Sequence, residues 1–269
     1  MWGKILGALF GMAILRLPGL VIGLLLGHWF DRALSRQFEH RGGFQRFFRA
    51  QGEAQGVFMF STFAVMGHLA KSTGVVTPAH IRQAQHFMEQ LGLSAAQQKE
   101  AQGAFREGKA SQFPWREQLQ ELKGAYRNRP DVLLLFLEIQ LGIALVDGQV
   151  TPVQRTILGQ MAEMLDFSAL EFEQILGRYE AEARFSHRRQ QGRMQPQPHR
   201  LADAYALLGV TAGCTEASLK KAYKRLMAQH HPDKLAAQGL PAEMLELAKQ
   251  KTQDIQAAYT LIKEQRARY

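Results

Sequence analysis

The sequence predicts an all-α chain made of a single N-terminal transmembrane helix, a duplicated helical domain, a flexible linker and a C-terminal module of three helices. Three observations carry this. The first 30 residues are almost wholly apolar, the middle repeats itself at an offset of 74 residues, and the last quarter carries amphipathic patterns of helical period. No stretch of useful length alternates apolar and polar residues as a half-buried strand does.

Composition bounds what such a chain can do. Of its 269 residues 46% are hydrophobic, enough to fill a core. The one cysteine, Cys214, leaves no intramolecular disulfide and no thiolate metal site, as suits a reducing compartment. The net charge of +9 invites a nucleic-acid reading, but its placement argues against one. Residues 57–183 hold 11 Lys and Arg against 14 Asp and Glu, whereas 184–202 hold five basic residues and no acidic one. The excess sits beside the apolar segment, in the linker and on one terminal helix. No basic stripe crosses a globular surface, so nucleic acid is not an expected partner.

From Ile5 to Phe30 the chain is apolar apart from Arg16, Pro18 and His28. A helix over Ile5–Leu26 is about 33 Å long at about 1.5 Å per residue, enough to cross a bilayer core. Trp2 and Lys4 on one side, and Trp29, Asp31 and Arg32 on the other, suit the interfaces. Lys4 precedes the span, while Arg32, Arg36, Arg41, Arg46 and Arg49 follow it, so the C-terminal side is expected in the cytoplasm and residues 1–4 outside it. The thin basic start and the lack of an A-x-A site favour an uncleaved anchor over a signal peptide. Gly3, Gly7, Gly11, Gly19, Gly23 and Gly27 fall on one four-residue grid, interrupted only at Leu15. That grid makes a smooth helix face on which a second backbone can close, so a homodimer through the membrane is expected. Arg16, near the bilayer centre, has no evident partner. In the basic juxtamembrane segment, 31–56, Phe38, Phe44, Phe47 and Phe48 alternate with Arg41, Arg46 and Arg49. Two readings stand: contact with anionic membrane lipid, or packing on the next domain.

The middle, 57–183, is duplicated. Gly74, Val76, Thr77, Pro78, Leu91 and Ser94 recur as Gly148, Val150, Thr151, Pro152, Leu165 and Ser168. Thr77-Pro78 and Thr151-Pro152 place an N-cap hydroxyl before a proline at the first helical position. Ser94 with Gln97, and Ser168 with Glu171, have capping-box spacing. Ile81, Ala84, Met88 and Leu91 line one face of the first copy's second helix, and Val153, Ile157, Met161 and Leu165 line its counterpart. Trp115, Leu119, Leu122 and Tyr126 predict a connecting helix. The run Val132–Val146 is only about 15 residues long and carries Glu138 and Gln140, so it predicts a buried helix of a bundle rather than a second span. With its Asp147-Gly148-Gln149-Val150-Thr151-Pro152 turn, this middle resembles the TerB-like helical domain associated with tellurite-resistance proteins. Acidic residues in some relatives are associated with metal. Here the first copy reads Ser72-Thr73-Gly74-Val75 without the Asp, so no metal or other cofactor is expected. His68, His80 and His86 lack a nucleophile or paired acids at telling spacing. They read as surface or helix-end histidines, and the chain is not expected to be an enzyme.

Residues 184–202 turn to Arg, Gln, Pro and His and predict a flexible tether. Three helical patterns follow in 203–269. The first lies around Ala204–Leu208. The second runs over about Glu216–Gln229, with Leu219, Ala222, Tyr223 and Leu226 as its apolar stripe and Lys220, Lys221, Lys224 and Arg225 opposite. The third starts near Pro241, with Ala248, Ile255, Tyr259 and Ile262 on its seam. Between the second and third lies His230-His231-Pro232-Asp233-Lys234, where Pro232 stops a helix and constrains a turn.

This arrangement, with Tyr205-Ala206-Leu207-Leu208-Gly209-Val210 upstream and Ile255-Gln256-Ala257-Ala258-Tyr259 downstream, resembles a J domain from end to end. The resemblance implies a DnaK-type chaperone as partner. Lys220, Lys221, Lys224 and Arg225 would bind its acidic surface, and His231, Pro232 and Asp233 would promote its ATP hydrolysis. Two departures stand out: Thr252 occupies a position where the third helix commonly carries phenylalanine, and Leu235–Leu240 lengthens the loop. The order of anchor, TerB-like middle, linker and J domain resembles the bacterial membrane-anchored DnaJ-like proteins over essentially the whole chain. That implies a single-pass inner-membrane protein with a periplasmic N-terminus and a cytoplasmic C-terminus, which works with DnaK in envelope or capsule-related signalling. The competing reading is a membrane sensor or scaffold whose helical domain binds a ligand or an unknown protein partner, with the J domain secondary.

Overall fold

The computed structural model describes residues 53–190 and 197–267. The predicted span, its glycine grid and most of the juxtamembrane segment lie outside the described residues. All regular structure within them is helical, and no helix among them is long and apolar enough to cross a membrane.

The duplication organises the first seven helices: α1 (Glu53–Lys71), α2 (Pro78–Gln90), α3 (Ala95–Gly108), the connecting α4 (Trp115–Ala125), then α5 (Pro130–Ala144), α6 (Pro152–Met164) and α7 (Ala169–Gln190). The first helix of each copy, α1 and α5, is apolar nearly all round and is buried along most of its length. They meet where Phe58 makes a T-shaped contact with Phe136 at a centroid distance of 6.1 Å, and Tyr126 at the end of α4 makes another with Phe58 at 5.6 Å. The run Val132–Val146 is therefore part of a core helix, and the Gln140 side-chain amide within it donates to the Thr62 carbonyl at 3.3 Å.

The turns of the two copies repeat down to backbone conformation. Gly74 and Gly148 take φ of 99° and 91°; one turn later Gly92 and its counterpart Asp166 take 61° and 68°. Asp is among the few non-glycine residues that visit this left-handed region readily, and its carboxylate accepts from Lys123 Nζ at 2.7 Å. Thr77 and Thr151 cap α2 and α6. The buried faces of these helices are offset from those expected. Ile81 and Val153 are exposed, and the inward positions include His80, Ala84, Phe87 and Met88, matched by Gln154, Leu158, Met161 and Ala162. The cause lies at the caps: His80 and Gln154 bond back to the N-cap residue and face inward, which turns their neighbours at 81 and 153 outward. His80 is thus a buried capping residue, His68 stacks on Trp115 with centroids 5.6 Å apart, and His86 lies at the surface beside Glu89.

The C-terminal module comprises α8 (Gln197–Leu208), α9 (Glu216–His230), the short α10 (Pro232–Ala237), a 3-10 turn (Ala242–Met244) and α11 (Leu245–Arg266). Leu207, Leu208, Leu219, Leu226, Ile255 and Ile262 form its core, and Tyr223 stacks on Tyr259 with centroids 4.2 Å apart. The segment 184–202, expected as a coil, is helical over 184–190 and 197–202. The reason is a set of apolar contacts that its composition does not advertise: Ala181 and Phe185 at the end of α7 join the module's core, and Arg184 reaches Asp203 at 3.1 Å. Residues 191–196 lie outside the described residues.

Candidate functional site

The site begins with the helix that carries the cations. Thr215 caps α9 by accepting from the Ser218 N–H at 3.1 Å, and Glu216 sits in the first turn, where the helix dipole favours an acid. Leu219, Ala222 and Leu226 turn inward, which leaves Lys220, Lys221, Lys224 and Arg225 exposed together on the outer side. His231 ends α9 and begins α10 at φ −64° and ψ 123°. Pro232 demands that extended conformation of the residue before it and then opens α10. The Asp233 N–H donates to His231 Nδ1 at 3.2 Å, so the imidazole caps the very turn that displays it. The His231 side chain is 50% exposed and that of Asp233 is 93% exposed, which places both within reach of a partner.

The residues beside the triad are held by the helical domain. His230 is buried, with Nε2 3.6 Å from Glu138 Oε1 on α5. Lys251 of α11 reaches Glu138 at 3.3 Å and Glu182 of α7 at 2.8 Å, and stands over the Tyr179 ring at 4.9 Å. Beyond the triad, Lys234 pairs with Asp131 at 2.5 Å, Arg129 donates to the Gln238 carbonyl at 2.5 Å, and the Tyr126 hydroxyl donates to the Gly239 carbonyl at 2.9 Å. Gly239 has φ of 82° with Arg129 close by, a conformation and approach that a side chain would obstruct. Leu235, Leu240, Met244 and Ala248 belong to the apolar core of the helical domain. The lengthened loop is thus the element that seats one domain on the other.

Charge at this junction is arranged by burial and by proximity. Burial pushes the His230 imidazole towards its neutral form against the pull of Glu138. Burial alone would raise the Glu138 carboxyl, but His230, Lys251 and Arg178 outweigh it and hold that carboxyl below its ordinary range. Glu182 is raised by burial despite Lys251. Burial would lower Lys251, yet Glu138 and Glu182 together keep it firmly protonated. Tyr179 is pushed up to about 12, first by burial.

The structure places Lys220, Lys221, Lys224 and Arg225 along the exposed side of α9 and His231, Pro232 and Asp233 directly after its C-terminal end. The docking partners Tyr126, Arg129, Asp131, Glu138, His230 and Lys251 were not singled out for this role in the sequence. One signal was present: Lys251 falls between Ala248 and Ile255 on the apolar seam of α11, and Glu138 interrupts an apolar run on α5. A charge on each of two buried faces is the mark of a pair.

A short helical module with an ordered, exposed His-Pro-Asp turn between a basic helix and a long last helix defines a J domain, seated here on a repeated helical domain. Comparison with known proteins agrees throughout the chain. Residues 1–37 match the family described as the Co-chaperone DjlA transmembrane domain, 59–176 match Tellurite resistance protein TerB, and 203–269 match the DnaJ domain. The chain is 46% identical to Co-chaperone protein DjlA of Photorhabdus laumondii over 98% of both chains. It is 44% identical to that of Photobacterium profundum over 99% of both, and 42% identical to that of Escherichia coli K12 over 98% of both. The chain belongs to the DjlA family of DnaJ-like co-chaperones. No solved structure matches it.

Proposed function

We propose that this co-chaperone recruits a DnaK-type ATPase to the cytoplasmic face of the bacterial inner membrane and stimulates its ATP hydrolysis. The observation that carries the reading is the display of His231 and Asp233 on a turn held by Pro232, directly after the exposed cations of α9. Lys220, Lys221, Lys224 and Arg225 attract an acidic surface, an interaction that weakens as salt screens it. The triad then engages the bound partner. No bond is broken by this chain itself: it acts on another protein's reaction and is not an enzyme. The basic residues after the span argue for a single pass with the C-terminal domains in the cytoplasm. The glycine grid supports a homodimer through the membrane; unchanged crosslinking after Gly19→Leu with Gly23→Leu would sink that part. A role in envelope or capsule-related signalling follows from the same family resemblance.

The test is the steady-state ATPase rate of a purified DnaK-type chaperone titrated with the full chain in detergent micelles. Stimulation is expected with the native chain and is expected to vanish with His231→Gln, which keeps the size of the side chain but removes the imidazole. Equal stimulation by the two proteins would overturn the proposal.

A further inference from the structure

The turn that carries the triad is fastened on both sides by a different domain. On its N-terminal side His230 is buried against Glu138; on its C-terminal side Lys234 pairs with Asp131, and the carbonyls of Gln238 and Gly239 accept from Arg129 and Tyr126. Leu235 and Leu240 are buried in the apolar core of the helical domain. Between these anchors His231 and Asp233 remain exposed, and so do the cations of α9. The docked arrangement therefore fixes the loop without covering it.

We infer that the helical domain is a positioning element for the His-Pro-Asp turn, with Arg129 and Asp131 as the residues that hold it in the conformation a DnaK-type ATPase engages. The inference rests on the co-chaperone reading and adds a role for the domain on which the J domain sits. Its physical basis is preorganisation. A loop already held in its binding geometry loses little freedom when a partner docks, whereas a loop that visits that geometry for a fraction of the time binds more weakly by that fraction. The anchors come from the corner between α4 and α5, far in sequence from the loop. Neither Arg129 nor Asp131 belongs to the surface assigned to the ATPase, so substituting them changes the loop's support and leaves that surface chemically intact.

The experiment titrates a purified DnaK-type ATPase with the full chain in detergent micelles, native and with Arg129→Ala and Asp131→Asn combined. Backbone hydrogen exchange is measured over residues 231–240 in both. The concentration for half-maximal stimulation is expected to rise about three- to tenfold, as for a loop competent about a tenth to a third of the time. The plateau is expected to stay near the native value, and exchange in the loop to accelerate. A merely structural role, which removes unfolded chain from the titration, would shift the half-maximal concentration only until concentrations are corrected for the folded fraction measured by circular dichroism, and would leave exchange in the loop of the folded chain at the native rate. An unchanged titration overturns the inference, and so does stronger stimulation, which would mean that docking restrains the loop. Should the double variant fail to fold, Tyr126→Phe, which removes only the hydroxyl bonded to Gly239, must shift the curve in the same direction; no shift overturns the inference. The controls separate the two ideas. If the native chain does not stimulate, or His231→Gln stimulates equally, the co-chaperone reading fails; if the controls behave and the variants track the native chain, only the positioning role fails.

Discussion

Gly108→Val is expected to destabilise the helical domain by about 3 kcal/mol, the upper end of overpacking costs, because the new side chain meets backbone rather than a movable neighbour. A Cβ at Gly108 would stand 1.7 Å from the Ala64 carbonyl oxygen, and one at Gly67 would stand 2.1 Å from the Phe105 carbonyl oxygen. The two glycines therefore mark a reciprocal close crossing of α1 and α3, each helix using its own glycine to admit the other's backbone. Neither has the positive φ that would explain a glycine by conformation alone. The decisive comparison is with alanine. In an ordinary helix Gly→Ala stabilises by up to about 1 kcal/mol, and that sign is expected at Gly124 of α4, where an added Cβ meets nothing within 4 Å. At Gly67 and Gly108 the sign is expected to reverse. Denaturant unfolding of the four variants measures it, and stabilisation by Gly108→Ala would refute the close crossing.

Lys251→Met is expected to cost about 3–5 kcal/mol, the range found when one partner of a buried ion pair is removed. Lys251 is 4% exposed and is shared by Glu138 and Glu182, so its loss leaves two carboxylates facing each other in a site built for a cation. Methionine keeps the volume of the stem and isolates the charge as the cause. The combined variant Lys251→Met, Glu138→Gln and Glu182→Gln removes all three charges and is expected to recover most of the loss, since the cost arises from unpaired charge. Thermal unfolding of the three-fold and single variants decides it: equal melting temperatures would show that Lys251 acts through packing alone. Because these residues join α5 and α7 to α11, the single variant is also expected to loosen the seat of the J domain.

Much of this architecture was legible in the chain because it rests on local rules. Proline after threonine marks the starts of α2 and α6, and glycine marks the turns before them. The repeat announced two copies of one unit, and an apolar run too short for a membrane announced a core helix. The J domain was readable because Pro232 acts on its immediate neighbours and because the stripe of α9 separates its cations from its core side. Sequence periodicity failed by one position at Ile81 and Val153, where a capping side chain outcompeted a branched apolar one for the inward place. It failed again at 184–202, where a single phenylalanine, Phe185, anchors a segment whose composition is otherwise that of a coil.

The chain by itself thus determined the helices, their order and the exposed cations and His-Pro-Asp turn at α9, since each depends on neighbours within a few positions. Only the tertiary structure decided that the His-Pro-Asp loop is seated on the helical domain. That arrangement depends on Arg129 reaching Gln238, Asp131 reaching Lys234 and Glu138 reaching Lys251 across separations of about a hundred residues. A charge such as Glu138 shows in sequence only that it needs a partner. Which cation answers it is settled by how two separately legible domains bury their remaining apolar faces against each other.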